Sequence, residues 1–263
     1  MKERLDNLLV EKNFFDSRAR AKTMIMMGKI LVDGQKIEKA GTMINPDAEI
    51  KILGDDMPFV SRGGFKLQKA LEVFNINLRE KICMDIGAST GGFTDCMLQH
   101  GAKKIYAIDV GYGQLAWKLR NDERVINMER TNIRNVESLA DEINFASIDV
   151  AFISLEKVLP ITFKLDVAEI VALIKPQFEA GRDQVGKKGV VRDKKIHAQV
   201  IEKILSFAED VGYKICGLDF SPIKGPEGNI EYLAHMKKIC TQEIIWREKI
   251  LETVNLANEE LSR

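Results

Sequence analysis

The sequence predicts an α/β protein: an open parallel sheet covered by helices on both faces, behind a small N-terminal α+β module. Three observations predict it. From residue 60 onward, apolar runs of strand length alternate with helical periodicities. Within that alternation, Asp85 to Phe93 places a glycine-rich turn between an apolar run, Lys81-Ile82-Cys83-Met84, and a segment able to be helical, Thr94 to His100. Before residue 60, two short helical patterns lead into a hairpin signal and a further strand. We therefore expect a module over 1–55, a linker at 56–60 and a larger domain over 61–263.

Composition sets the limits. The chain has 263 residues, 45% apolar and 30% charged, ordinary for a globular protein. Lys+Arg 39 balances Asp+Glu 39, so net charge alone does not point to nucleic acid. The four cysteines, Cys83, Cys96, Cys216 and Cys240, form no CxxC pair. A zinc or dithiol redox site is disfavoured, and reduced, core-lying thiols are expected. The N-terminus has no signal-peptide apolar core, and no uncharged run approaches a membrane span of ~18 residues. A cytoplasmic protein without membrane or metal partners is the expectation.

In the module, Leu5, Leu8, Leu9 and Val10 mark a first helix. A second starts near Asp16-Ser17, either of which can cap it, and stops near Gly28. Asp33-Gly34 between Ile30-Leu31-Val32 and Gln35-Lys36-Ile37 is a two-residue hairpin signal, and 49–53 reads as a third strand. Through residue 40 there are nine Lys/Arg against six Asp/Glu. Arg18, Arg20 and Lys22 cluster at a helix start, where basic side chains suit phosphate contacts, although a solvated helix face has the same composition. The Met24-Ile25-Met26-Met27 run reads as core.

In the larger domain the pattern gives helix 61–74, strand 82–86, helix 91–100, strand 104–108, helix 114–121, strand 125–128, helix 136–143, strand 147–153, helix 156–164, strand 169–174, helix 193–211, strands near 214–220 and 229–237, and a last helix at 242–261. The polar loop 176–192 is long enough to imply function. Asp109 ends the second strand, 22 residues after Gly87, where an acid commonly holds the ribose hydroxyls of an adenosine-bearing cofactor. The turn reads Asp-x-Gly-x-x-x-Gly-Gly, which is neither the Gly-x-Gly-x-x-Gly of pyrophosphate-binding sites nor a P-loop. An acid ahead of the glycines suits a cofactor with an ammonium group and no phosphate, and S-adenosylmethionine meets that description. The cofactor contacts expected are Asp85, Gly87, Ala88, Ser89, Thr90, Gly91, Gly92, Phe93, Asp109, Val110 and Asn132. In such sheets ligands bind at the carboxyl ends of strands. Asp149 and Lys175, each ending a strand, should therefore meet near the cofactor. Position alone selects neither Lys66 nor Glu231.

Leu5-Asp6-x-x-Leu9, Ser17-Arg18-x-x-Ala21 and Gly28-Lys29-Ile30-x-Val32-Asp33-Gly34 together resemble the S4 RNA-binding domain over about residues 3–53. The stretches Ser61 to Leu67, Asp85 to Phe93, Asp149 to Leu155, Lys175 to Glu179 and Gly225 to Tyr232 resemble the TlyA family, also called the haemolysin A family. Its members join an S4 domain to an FtsJ-like methyltransferase domain. Gly186 to Asp193 fits the family's loop motif, with Lys188 where glycine is more usual. The resemblance implies a Rossmann-like, class I S-adenosylmethionine-dependent methyltransferase that 2′-O-methylates ribosomal RNA, a cytidine in 23S and in some members also in 16S rRNA. It implies ribosomal RNA or ribosomal subunits as partner, and a catalytic tetrad at Lys66, Asp149, Lys175 and Glu231, all occupied by the expected residue types.

The chemistry agrees. A ribose hydroxyl is a weak acid and a weak nucleophile, so the protein must align the reacting atoms and help remove a proton. A lysine can stabilise the developing alkoxide or, if neutral, accept the proton. Lys175 is the residue expected at that centre. The segment 175–195 has seven Lys/Arg against three Asp/Glu, a composition able to grip RNA phosphates. Arg4, Arg18, Arg20, Lys22, Arg62, Arg182, Lys187, Lys188 and Arg192 are the RNA contacts expected. Phe59, Phe65 and Phe178 are candidates to stack on an unstacked base, against the plainer reading of core packing. Three rival functions were weighed: a membrane-acting cytolysin, disfavoured by the lack of a basic amphipathic helix; a non-catalytic RNA-binding assembly factor, disfavoured by the intact tetrad; and a NAD-dependent enzyme, disfavoured by the glycine spacing.

Overall fold

In the computed structural model, residues 2–12, 14–15, 17–53, 58–186, 189–241 and 243–261 are described, Arg182 by its backbone only. The chain divides into two units, Met1–Arg62 and Gly63–Arg263.

In the first unit, β1 (Glu3–Arg4) leads into α1 (Leu5–Glu11) and α2 (Arg18–Met26), followed by β2 (Ile30–Val32), β3 (Gln35–Ile37), β4 (Met43–Ile44) and β5 (Ile50–Ile52). Strand β2 is central, antiparallel to both β3 and β5, and the short β1 pairs with β4. Each expected signal has its structural counterpart. Ser17 caps α2 by accepting from the Arg20 amide at 3.3 Å; Asp16, the other candidate cap, lies outside the described residues. Gly28 ends the helix at φ +64°, and Asp33 and Gly34 are both left-handed, as the tight hairpin turn requires. Leu5, Leu8, Leu9, Ala21, Met24, Ile25 and Ile30 form the core, so the methionine run contributes to packing.

The second unit starts with α3 (Gly63–Val73). Then follow β6 (Ile82–Ile86), α4 (Gly92–Gln99), β7 (Lys104–Ile108), α5 (Trp117–Arg120), β8 (Val125–Met128), β9 (Phe145–Ile148), α6 (Leu159–Lys164), β10 (Glu169–Ile174), α7 (Pro176–Glu179), α8 (Lys194–Val211), β11 (Lys214–Phe220), β12 (Tyr232–Lys237) and α9 (Trp246–Leu261). The seven strands form one sheet in the order β11-β12-β10-β9-β6-β7-β8. Strand parity divides the core. Met84, Ile86, Ile108, Ile148, Ile170 and Ala172 face Leu159, Val200, Ile204 and Val254 from α6, α8 and α9. The alternate residues Cys83, Ile105, Ala107 and Phe145 are also buried, on the side of α4, which in turn packs on α3.

The structure departs from the sequence expectation in five places. The sheet is not wholly parallel, because β12 runs antiparallel to β10 and β11. Residues 136–143 form no helix. A short 3-10 turn, Ile133–Asn135, precedes them, and tertiary bonds override local propensity: Lys104 Nζ and the Tyr106 hydroxyl both donate to Asp141. The helix expected at 114–121 shrinks to α5, because the Gln114 amide donates to Glu129 and the Ala116 amide to the Thr90 carbonyl. The strand expected at 147–153 lies at Phe145–Ile148, and 149–153 leave the sheet to wall a cleft. Finally, Cys216 and Cys240 lie half-buried and side by side, with Cα atoms 6.4 Å apart, where separate core-lying thiols were expected. The antiparallel return of β12 brings the following segment back beside the start of β11, a proximity that sequence spacing does not reveal. Cys83 and Cys96 are buried and free, and burial pushes the Cys83 thiol up to about 12.

Candidate active site

The glycine turn between β6 and α4 is built on left-handed backbone. Gly87 has φ +88°, Ser89 φ +49° and Gly91 φ +95°. A Cβ on Gly87 would lie 2.4 Å from the Asp149 carbonyl oxygen, so only glycine lets β6 and β9 converge here. The amides of Gly87 and Ala88 both donate to the Ile108 carbonyl. They are therefore committed to the sheet rather than arranged as a phosphate cradle. The Ser89 amide donates to Asp109 Oδ2 at 2.8 Å and the Gly111 amide to Oδ1 at 2.7 Å. Asp109 thus ties the turn to the end of β7, and each carboxylate oxygen keeps a further acceptor site.

A cleft of about 590 Å³ opens beside this turn at the carboxyl ends of the strands, within the range of small-molecule sites. Of the expected cofactor residues, Gly87, Ser89, Asp109, Val110 and Asn132 line it. Ala88, Thr90, Gly91, Gly92 and Phe93 do not; they shape the turn and start α4, with Phe93 in the core. Asp85 differs most from expectation. Its carboxylate is fully buried, accepting from the Thr94 hydroxyl at 2.7 Å and the Ser147 hydroxyl at 3.2 Å. Burial raises its pKa to about 7 against those two hydrogen bonds. An acid sealed in this way supports the turn and does not line the cleft. Asn132 Oδ1 caps the 3-10 turn by accepting from the Arg134 amide. Gln114, Thr131 and Phe152 also line the cleft, and the sequence did not single them out because only tertiary placement brings them to this edge of the sheet.

The four charged candidates come together at the same edge of the sheet. Strand register explains three of them. Ile148 on β9 pairs with Ala172 on β10 and with Ile86 on β6, which sets Asp149 beside the glycine turn. Ile174 pairs with Tyr232 across the antiparallel β10–β12 ladder, so Lys175 and Glu231 leave it side by side. Lys66 reaches in from α3. Its ammonium lies 2.5 Å from Glu231 Oε2 and 3.7 Å from Asp149 Oδ2. Lys175 pairs with Asp149 Oδ1 and donates to the Val150 carbonyl at 3.0 Å. Lys66, Lys175 and Glu231 are buried, whereas the Asp149 side chain is 19% exposed. Two ammonium groups and two carboxylates balance, which makes their joint burial tolerable. Burial alone would raise the Asp149 carboxyl, but Lys66 and Lys175 hold it below its ordinary value.

Further polar and aromatic groups complete this centre. Gln177 Nε2 donates to Glu231 Oε1 at 3.2 Å. Phe152 is 91% exposed and left-handed at φ +63°, and its ring lies 5.0 Å from that of Phe178. Phe178 in turn has Lys175 Nζ 5.8 Å from its centroid. Phe59, another stacking candidate, is buried.

The expected RNA contacts have mixed fates. Arg4 and Arg18 both pair with Asp6, at 2.9 and 3.1 Å, because that buried carboxylate on the leucine face of α1 needs counter-charge. Hydrogen bonding from Arg4 leads the causes that draw Asp6 down to about 2. Lys22 and Arg192 are exposed, and Arg20, in the first turn of α2, is half-buried. Arg62 approaches the Met26 sulfur at 4.0 Å. Lys187, Lys188 and the Arg182 side chain lie outside the described residues. Among the described residues, no cluster could hold a metal ion and no helix is long and apolar enough to cross a membrane.

Comparison with known proteins fits this geometry. The FtsJ-like methyltransferase model matches residues 59–238 and the S4 domain model residues 3–50. The 16S/23S rRNA (cytidine-2′-O)-methyltransferase TlyA of Mycobacterium tuberculosis is 41% identical, over 89% of this chain and 89% of its own. Hemolysin A of Brachyspira hyodysenteriae is 46% identical, over 88% and 98%. A solved Streptococcus thermophilus structure, 47% identical, superposes with a TM-score of 0.79 over 99% of this chain and 97% of that one. With both domain models in order and relatives matched over nearly their full length, the chain belongs to the TlyA family of FtsJ-like methyltransferases that carry an N-terminal S4 domain.

Proposed function

We propose that this chain transfers the methyl group of S-adenosylmethionine to the 2′-hydroxyl of a cytidine in ribosomal RNA. The observation that carries the proposal is the convergence of Lys66, Asp149, Lys175 and Glu231 beside the glycine-turn cleft. S-adenosylmethionine fits that cleft on three counts: its volume, the Asp109 carboxylate at the β7 end for a ribose, and turn amides committed to Ile108 rather than to a phosphate. When bound, it supplies an electrophilic methyl on a sulfonium. Apolar Ile86, Ile108, Ile133 and Val158 give the cleft a wall suited to an adenine ring.

The chain's own residues then act on the acceptor. Lys175, anchored by Asp149 and the Val150 carbonyl, has a third donor direction for the ribose oxygen as that hydroxyl gives up its proton to solvent. Asp149, held ionised between two lysines, fixes both ammonium groups. Glu231 fixes Lys66 from the other side. Phe152 and Phe178, next to Lys175, offer a π-face to the cytosine once it leaves its stack. The S4 unit, with Lys22 exposed, supplies docking on folded RNA. The relatives' printed names support ribosomal RNA as the acceptor and cytidine as the nucleotide.

The test uses purified ribosomal subunits and isotopically labelled cofactor. Lys175→Ala should lower methyl transfer by roughly 10²–10⁴-fold while leaving cofactor affinity within about threefold. Equal loss of both would remove Lys175 from the chemical step. Mass-spectrometric mapping of rRNA from cells with and without the gene should show a missing 2′-O-methyl cytidine in the latter. Identical ribose methylation in the two would overturn the proposal. The same purified protein should cause no leakage from liposomes if the hemolysin name of one relative does not describe this chain.

A further inference from the structure

We infer that Gln177 is a positioning residue of this centre, setting the rotation of Glu231 and, through it, the place of the Lys66 ammonium. The inference rests on the reading of the tetrad given above and adds a member to it. Glu231 is 1% exposed, and its two oxygens have different duties. Oε2 faces Lys66 at 2.5 Å, and Oε1 accepts from Gln177 Nε2 at 3.2 Å. On the Oε1 side the backbone closes in, since a Cβ on Gly225 would stand 2.7 Å from that atom. A buried carboxylate oxygen left without a donor is costly, and among the described residues Gln177 supplies the side-chain donor to Oε1.

The amide's orientation is forced. Turned over, its oxygen would face a carboxylate oxygen, two acceptors in contact. In the orientation present, Gln177 Oε1 is buried with no partner among the described residues. The backbone fits the same purpose. Lys175 closes β10, Pro176 opens α7, and Gln177 follows, so one short turn presents both a tetrad lysine and the clamp for the tetrad glutamate. The charged groups around the pair are Lys66 from α3, Asp149 after β9 and Lys175 after β10. On α7 itself, Glu179 turns away to accept from the Leu155 amide.

Gln177→Glu keeps size and shape but replaces the donor with a second carboxyl against Glu231. One of the two must then hold a proton for the hydrogen bond to survive. Below the pH at which that proton leaves, the variant should work much as the wild type does. Above it, the two carboxylates repel and Glu231 turns from Lys66. Gln177→Met removes the donor without adding charge.

The experiment measures kcat and KM for ribosomal subunits from pH 6 to 9 for wild type and both variants. Cofactor affinity by calorimetry and the melting temperature accompany it. We expect the activity of Gln177→Glu relative to wild type to fall at least about tenfold as pH rises across that range. Gln177→Met should lower kcat at every pH, with KM, cofactor affinity and melting temperature near wild type. Wild-type kcat and pH profile in both variants would overturn the inference, as would parallel loss of melting temperature and cofactor affinity in Gln177→Met, which would mark a merely structural side chain. An inactive wild type on every subunit tested would instead overturn the methyltransferase reading itself, and with it this inference.

Discussion

Asp85→Asn is the perturbation whose outcome the structure fixes most sharply. The side chain is wholly enclosed between β6, Thr94 on α4 and Ser147 on β9. Burial, opposed by the two hydroxyls, raises its pKa from 3.8 to about 7. Because the folded-state value lies above the unfolded one, the folded protein keeps a proton that the unfolded chain releases near pH 4. The resulting stability is fully present below about pH 4 and is lost as pH rises to about 7. A shift of about three units, at 1.36 kcal/mol each, corresponds to about 4 kcal/mol. Asparagine has nearly the same shape, can meet both hydroxyls and does not titrate there. The stability of Asp85→Asn minus that of wild type should therefore increase by about 3 kcal/mol between pH 4.5 and pH 8, the rest of the effect lying below pH 4.5. Taking the difference removes the opposite trend from carboxylates whose values are lowered, such as Glu169, drawn to about 2 by His235, Lys81 and Lys237 against the effect of its burial. Urea unfolding at several pH values measures it, with tryptophan fluorescence as the signal. Both tryptophans, Trp117 and Trp246, lie in the second unit, so the signal reports the domain that contains Asp85. A difference constant to within about 0.5 kcal/mol from pH 4.5 to 8 would refute the reasoning and leave Asp85 ionised inside the fold.

Three other outcomes can be stated from single contacts. Gly87→Ala places a Cβ against the Asp149 carbonyl in left-handed backbone, and should weaken cofactor affinity at least about tenfold with ~1–3 kcal/mol lost in stability; calorimetry showing unchanged affinity would contradict it. Asp6→Asn should destabilise the first unit by roughly 1–2 kcal/mol at pH 7, since its two arginine partners are partly solvated. The Asp6 contribution is present above about pH 4 and lost as pH falls toward about 2, so thermal melts of mutant and wild type should converge in acid; equal melting at pH 7 would contradict it. Phe152→Ala should lower methylation of ribosomal subunits about tenfold, the scale of one lost base–aromatic stack, with cofactor affinity kept; normal turnover on subunits would remove Phe152 from contact with the base.

How far the sequence disclosed this molecule depends on whether the deciding interactions are local. The capped start of α2, its stop at Gly28 and the Asp33-Gly34 turn are set by neighbours in the chain, and all were legible. So was the strand, turn and helix around Gly87. Legibility ended where a distant partner decides. Asp85 and Asp109 both end or nearly end strands beside the same turn, yet one is sealed by hydroxyls from α4 and β9 while the other lines the cleft. Arg4 and Arg18 look like phosphate contacts until Asp6 is seen to be buried beneath them. A reader could have anticipated this, because an aspartate on a leucine face requires counter-charge. The helix expected at 136–143 has adequate propensity but meets Lys104 and Tyr106. Lys66 and Glu231 were placed by resemblance alone. The fold supplies the physical reason they meet, the antiparallel return of β12.

That reversed strand also governs when the site can exist. Lys66 and Glu231 are 165 residues apart in sequence, and β12 enters the sheet between β10 and β11 although it is made after both. Until β12 is synthesised, β11 has no neighbour in the sheet and must wait outside it. A chain emerging from its own ribosome therefore holds the S4 unit and a glycine turn well before it holds a complete set of charges. Lys66, Lys175 and Asp149 without Glu231 would carry one positive charge in excess. The charge set of the proposed centre is thus complete only in a chain that already carries the final strand of the sheet.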